Sequence, residues 1–198
     1  MFTCRHAPVH LAPELLDELA TRYGESHRAY HDASHIGDVL HWYDAVTDDL
    51  GWKAPVDVYH AVLFHDAVYD PKAPLGQNEA RSAEVAREHG ASERAVELIL
   101  LTARHDKLIP GEVDHDAALF LDCDTAILGA SRLTFDAYHA AIEQEYAHLP
   151  PDVFRAGRQK FLAGLLARPR MFLSDYFHGL LDAAARANIT RALASQAR

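Results

Sequence analysis

Apolar residues recur at helical spacing along nearly the whole chain, and no stretch sustains the one-in-two alternation of a half-buried strand. That pattern confines the chain to folds built from helices. The punctuation agrees: Pro13 heads the stretch 14–23 and Gly24 closes it, in the order favoured at helix ends. Further helices are expected over about 35–50, closed by Gly51, and 56–68, opened by Pro55. The stretch 78–89 ends at Gly90, and Ser92 caps 93–104. The remaining expected helices are 116–128, 134–148, 152–167 and 174–194. Because 56–68 is apolar on almost every side, it is expected to be the buried central helix. Loop chemistry is confined to 70–77 and 106–114, both too short to be interdomain linkers. No internal repeat interrupts the pattern, and 198 residues suit one domain that buries a core without disulfide or metal staples. The expected fold class is all-α, a single compact helical bundle spanning 1–198 with its core at about 22–190.

The charge balance narrows the function classes. With 19 Lys plus Arg against 29 Asp plus Glu, the formal charge is -10, which opposes broad binding to nucleic-acid backbones. Cys4 and Cys123 form no C-x-x-C pair, disulfide framework or zinc knuckle, so a reduced compartment is expected. Residues 1–16 lack a secretory apolar stretch, and the longest apolar runs, such as 61–64 and 98–101, are far shorter than a membrane span. A cytoplasmic protein that binds neither polynucleotide nor membrane is the expectation. The count of 14 histidines stands out, because histidine titrates near neutrality and is the commonest metal ligand.

The most informative feature is His65-Asp66, set in the most apolar segment of the chain. Burying an ionised aspartate costs several kcal/mol unless a cation or strong hydrogen bonds compensate. A divalent metal ion is one such cation; the alternative is hydrogen bonding near the helix end, with His65 a satisfied core residue. The dipeptide has company. Upstream, His31 and His35 stand four apart and share a face if that stretch is helical. Downstream, Asp122 and Asp124 lie in another largely apolar helix, where unpaired acids are again unfavourable.

The order His35, then His65-Asp66, then Asp124 resembles the HD superfamily of metal-dependent phosphohydrolases, all-helical enzymes named for the His-Asp pair. More narrowly, Tyr30-His31 with His35-Ile36, Val68-Tyr69-Asp70-Pro71 after the pair, Asn78-Glu79 with Ser82-Ala83, and Asp122-Cys123-Asp124 with Ile127-Leu128-Gly129 resemble a bacterial group of HD-domain phosphohydrolases. Glu145-Tyr146, Phe154 with Gly157-Arg158, and Ala185-Arg186 with Asn188 continue the likeness, which runs from Arg22 onward. Departures are Cys123, Thr125 and Glu143, the last removing a cation common at that position in the group. The resemblance implies His35, His65, Asp66 and Asp124 as metal ligands, with Asp122 the competitor for the last place.

Two imidazoles and two carboxylates without a thiolate suit a divalent ion such as Mn, Fe, Co, Ni, Zn or Mg. Such an ion acidifies water and polarises a phosphoryl group, which permits phosphoester hydrolysis without a covalent enzyme intermediate. Asp70, four residues after Asp66, is a candidate to align the attacking water or to bind a second ion; its alternative is helix termination before Pro71. Glu79 is a candidate acid or base, with Asn78 expected as the N-cap of its helix and Glu79 as a first-turn acid. Candidates for substrate contact are Arg28, His31, His105 and Arg158, the arginines because a guanidinium grips a phosphate bidentately. Arg104 and Lys107 are further cations, each of which a solvated surface explains equally well. The other ten histidines fit exposed faces, ends or loops, and Trp42, Tyr138, Tyr146 and Phe161 fit helix packing better than a base-stacking platform.

The leading expectation is therefore metal-dependent hydrolysis of a small phosphorylated metabolite or nucleotide. Two others stand beside it: a nucleotide or phosphate sensor of the same fold, and a di-iron HD-type oxygenase using His31 and His105 as added ligands.

Overall fold

The computed structural model describes residues 2–196, and for Gln196 the backbone alone. Among the described residues the regular structure is entirely helical, as the periodicity requires: α1 (Pro13–Tyr23), α2 (Ala33–Asp49), α3 (Pro55–Phe64), α4 (Gln77–Glu88), α5 (Glu93–Thr102), α6 (His115–Thr125), α7 (Arg132–Glu145), α8 (Pro151–Ala167) and α9 (Asp175–Gln196). Short 3-10 turns, His105–Lys107 and Ala126–Gly129, follow α5 and α6. The chain is one helical bundle.

Helix ends follow local chemistry. Proline occupies the first turn of α1, α3 and α8, where its missing N–H has no helical partner. Side chains of Asp32, Ser92, Asp114 and Ser131 accept from the unpaired N–H groups that open α2, α5, α6 and α7. Gly51 and Gly90 take the left-handed conformation just beyond α2 and α4. Asn78 is not the cap expected for α4: Gly76, at φ 81°, holds that place. The Asn78 side chain instead clamps the Asp70 backbone, accepting from its N–H and donating to its carbonyl.

Helix α3 is central, packed by α2, α4, α5 and α6. It buries Val58, Tyr59, Ala61, Val62, Leu63 and Phe64, and the larger of these each contribute about 1.5–3 kcal/mol of transfer free energy. Helix α9 lies across α8, α6 and the 126–129 turn. Gly129 sits so close to it that a Cβ would stand 2.6 Å from the Leu181 Cβ.

Loops are fastened by buried carboxylates that face inward from helices. Asp44 on α2 accepts from the backbone of Arg5 and His6, Asp116 on α6 from Lys53 and Ala54, and Asp182 on α9 from Met171. Each such acid is fully buried or nearly so, and its hydrogen bonds offset the cost of removing the charge from water.

Among the described residues no helix is long and apolar enough to cross a membrane.

Candidate metal centre

The helix that carries His65 and Asp66 is shorter than expected. It ends at Phe64, and the pair occupies the turn that follows. Arg28 shapes that turn. Its side chain is buried, and its guanidinium donates to the carbonyls of Asp66, Ala67 and His31 while Nε meets Glu25. Arg28 is therefore a strut, not the phosphate-contacting cation expected, because its donors are already engaged by three main-chain oxygens and the Glu25 carboxylate.

With the turn held, four donor atoms converge. His35 on the first turns of α2 and His65 beyond α3 bring their Nε2 atoms to 3.2 Å. Asp66 Oδ2 lies 3.2 Å from His65 Nε2 and 3.6 Å from His35 Nε2. Asp124, near the end of α6, joins through the same nitrogens, with Oδ1 3.2 Å from His35 and 3.4 Å from His65. The two histidines are almost wholly enclosed, at 2% and 1% exposure, whereas the carboxylates reach toward solvent at 16% and 17%.

His35, His65 and Asp66 offer donor atoms that all lie within 4.8 Å of one another, and Asp124 meets the two histidines from outside that group of three. Atoms bound ~2.0–2.2 Å from one ion stand ~3.0–3.6 Å from each other at tetrahedral or octahedral angles. His65 supplies the correct tautomer, since its Nδ1 donates to the Val62 carbonyl at 2.9 Å and leaves the Nε2 lone pair free. Two imidazole nitrogens and two carboxylate oxygens so arranged fit a divalent cation. The fields of Asp66 and Asp124 overcome the opposing effect of burial and raise the His65 pKa well above its usual value. The same histidines hold Asp66 and Asp124 below the usual carboxylate range, again against burial. The pocket is thus tuned for positive charge.

Asp122 has other work. Its carboxylate accepts from the backbone N–H of Leu173 and Ser174 and from the Ser174 hydroxyl, fastening the entry to α9. Burial pushes its pKa up to about 6 despite those bonds. Two residues apart on one helix, Asp122 and Asp124 face different ways, and Asp124 alone of the two meets the histidines.

A cleft of about 490 Å³ reaches the cluster at Asp124 and is lined also by His31, Glu79 and His105 among others. His31 precedes α2 instead of sharing a helix face with His35, and its ring centroid is 5.9 Å from that of His35. It is fixed by Glu145, whose Oε2 meets His31 Nδ1 at 2.7 Å and accepts from the Tyr69 hydroxyl. Glu145 Oε1 accepts from the N–H groups of Ala29, Tyr30 and His31. Burial opposes ionisation of Glu145, but these bonds prevail and lower its pKa to about 2. Burial likewise opposes a charged His31, yet the Glu145 bond and the surrounding carboxylates raise its pKa. Glu145 is the site residue to which sequence reasoning gave no role. Its signal was present: Phe135, Tyr138, Ile142 and Glu145 form the buried stripe of α7, an acid in an apolar row.

His105 lies in the 3-10 turn after α5, with Nδ1 on the Thr102 carbonyl, and Arg168 holds that turn through the His105 and Leu108 carbonyls. Glu79 Oε2 is buried without a hydrogen-bond partner among the described residues. Asp70 does not belong here. It is exposed, its Oδ1 accepts from the Lys72 N–H, and it closes the loop that leads to α4, because the helix expected to carry it onward from Asp66 ends at Phe64. Tyr138, Tyr146 and Phe161, expected as packing residues, also line the cleft, as does Arg158.

Comparisons of the chain with protein-family models, with curated proteins and with solved structures find no match.

Proposed function

We propose that this protein is a metal-dependent phosphohydrolase, a member of the HD superfamily acting on a small phosphorylated metabolite or nucleotide. The observation that carries the reading is the grouping of His35, His65 and Asp66 donor atoms within 4.8 Å of one another, with Asp124 Oδ1 on both histidines and lining a cleft. His35, His65, Asp66 and Asp124 would hold a divalent ion, which would supply the Lewis acidity that acidifies water and polarises a phosphoryl group.

The chain's own residues supply the rest. Glu79, with an unpartnered buried Oε2 in the cleft wall, accepts the proton of the attacking water. His31, anchored by Glu145 and held toward its charged form, faces the phosphoryl oxygens with positive charge. His105, whose Nδ1 donates to the Thr102 carbonyl, lines the same cleft with its Nε2 edge available to a substrate hydrogen-bond donor. The net charge of -10 suits a metabolite better than a nucleic-acid polymer. A reducing compartment, the cytoplasm, suits the two free thiols of Cys4 and Cys123.

The test is phosphate or pyrophosphate release from a broad panel of phosphoesters by metal-loaded protein. Release that depends on metal and vanishes in Asp66→Ala supports hydrolysis. Folded, metal-loaded protein that is inert across the panel yet stabilised by a nucleotide contradicts it and favours a sensor.

A further inference from the structure

Arg158 on α8 is 9% exposed, and its Nε and Nη2 have no hydrogen-bond partner among the described residues. The guanidinium lies over the rings of Tyr138 and Phe161, at 5.0 and 5.3 Å from their centroids. A buried guanidinium is unfavourable unless its donors are met. The other deeply buried arginine, Arg28, and the buried acids Asp44, Asp116, Asp122, Glu145 and Asp182 all have their complements within the fold. Arg158 awaits one from outside.

The unmet atoms specify its shape. Nε and Nη2 share one edge of the guanidinium, and that edge takes both oxygens of a carboxylate or phosphate in parallel. The same protein shows this geometry on its surface, where Arg87 Nε and Nη2 hold the two oxygens of Glu93 at 3.0 and 3.1 Å. At Arg158 that edge is buried, and the residue lines the cleft.

Arg158 stands apart from the histidine and aspartate cluster. The Tyr138 ring is 4.6 Å from that of Tyr30, which in turn is 4.8 Å from the His35 ring, so two aromatic rings intervene. The cleft that Arg158 lines carries, besides its polar residues, the apolar side chains of Ile142, Tyr146, Leu149, Val153, Phe154 and Phe161. An oxyanion here is a different group from the one that reaches His35 and Asp124.

We propose that Arg158 forms a second anion subsite, which selects substrates bearing a carboxylate or phosphate on an apolar body, distal to the phosphoryl group that is hydrolysed. This deepens the phosphohydrolase reading and rests on it for the first phosphoryl group; the subsite itself does not need that reading. Calorimetric titration with benzoate and with phenylphosphonate, in chelator throughout, tests the subsite without metal or turnover. Wild-type protein and Asp124→Ala are expected to bind alike, and Arg158→Gln at least tenfold more weakly. A structural role is excluded by Arg158→Met, which is expected to melt no lower than wild type because it removes a buried charge whose partner is absent. Equal binding by Arg158→Gln, loss of binding in Asp124→Ala, binding of neither probe by wild type, or a clear fall in the Arg158→Met melting temperature overturns the proposal. Since no hydrolysis is measured, a failure here is distinct from a failure of the phosphohydrolase reading.

Discussion

His35 Nε2 and His65 Nε2 face each other at 3.2 Å, thirty residues apart in the chain and shielded from solvent. Two lone pairs so close repel unless a proton or a cation lies between them. Because Val62 fixes a His65 proton on Nδ1, the gap between the two Nε2 atoms is filled either by a proton carried on His35 Nε2 or by a cation. Asp66 and Asp124 add the charge that makes either state favourable.

The division between Asp122 and Asp124 gives the first prediction. Asp124→Asn lowers metal affinity and phosphate release by more than the ~10–100-fold typical of residues one step removed from a metal, with little change in folding. Asp122→Ala leaves the metal affinity in place but unpairs the N–H groups of Leu173 and Ser174, costing about 2–4 kcal/mol in chemical denaturation. Exchange of these two phenotypes would refute the assignment.

Arg28→Lys tests the strut. Lysine cannot reach the carbonyls of His31, Asp66 and Ala67 together, so the variant is expected to lose about 3 kcal/mol of stability. Metal affinity should fall with it, because the turn that presents Asp66 loosens. A direct substrate contact would instead raise KM and leave the stability unchanged.

Glu145 gives a pH-dependent signature. Its folded pKa is lowered to about 2 from an ordinary 4.5, so its ionised form stabilises the fold above pH ~4.5, and that contribution drains away as pH falls toward 2. The stability difference between wild type and Glu145→Gln should be constant from about pH 5 to 6, decline above pH ~6.5 as the His31 charge that Glu145 favours is lost, and shrink steadily below 4.5. A difference that stays flat to pH 2.5 would show that the Glu145 charge does not hold the 29–31 segment.

Gly129 tests the seat of α9. Gly129→Ala forces a Cβ against Leu181 and should cost about 1–3 kcal/mol while sparing the metal stoichiometry. Unchanged stability would mean that α9 lies less tightly on the 126–129 turn.

Much of this molecule was legible in its sequence, for definable reasons. Helical periodicity with proline and glycine punctuation located every helix to within a few residues, since local backbone sterics and capping act through neighbours. An acid in an apolar run marked Asp66 and Asp124 because burial makes an unpaired charge costly. The same signal marks Asp44, Asp116, Asp122, Glu145 and Asp182, which capture loop N–H groups. Sequence separates a ligand from a loop clamp only when the loop's position is known. Asp70 misled because α3 stops at Phe64, where Arg28 from a distant segment holds the turn. Arg158 carried a readable hint, a cation four residues after Phe154 on the buried face of α8, but that its Nε and Nη2 meet no hydrogen-bond partner among the described residues emerges only from packing.

The most direct test of the metal centre is calorimetric titration of chelator-treated protein with Mn, Fe(II), Co, Ni, Zn and Mg, paired with melting in each ion. Wild type is expected to bind at least one of them with a raised melting temperature, and His35→Ala, His65→Ala, Asp66→Ala and Asp124→Ala each to lose at least a hundredfold in affinity while remaining folded. Wild type that binds none of these ions, or four variants that bind as wild type does, would contradict the account.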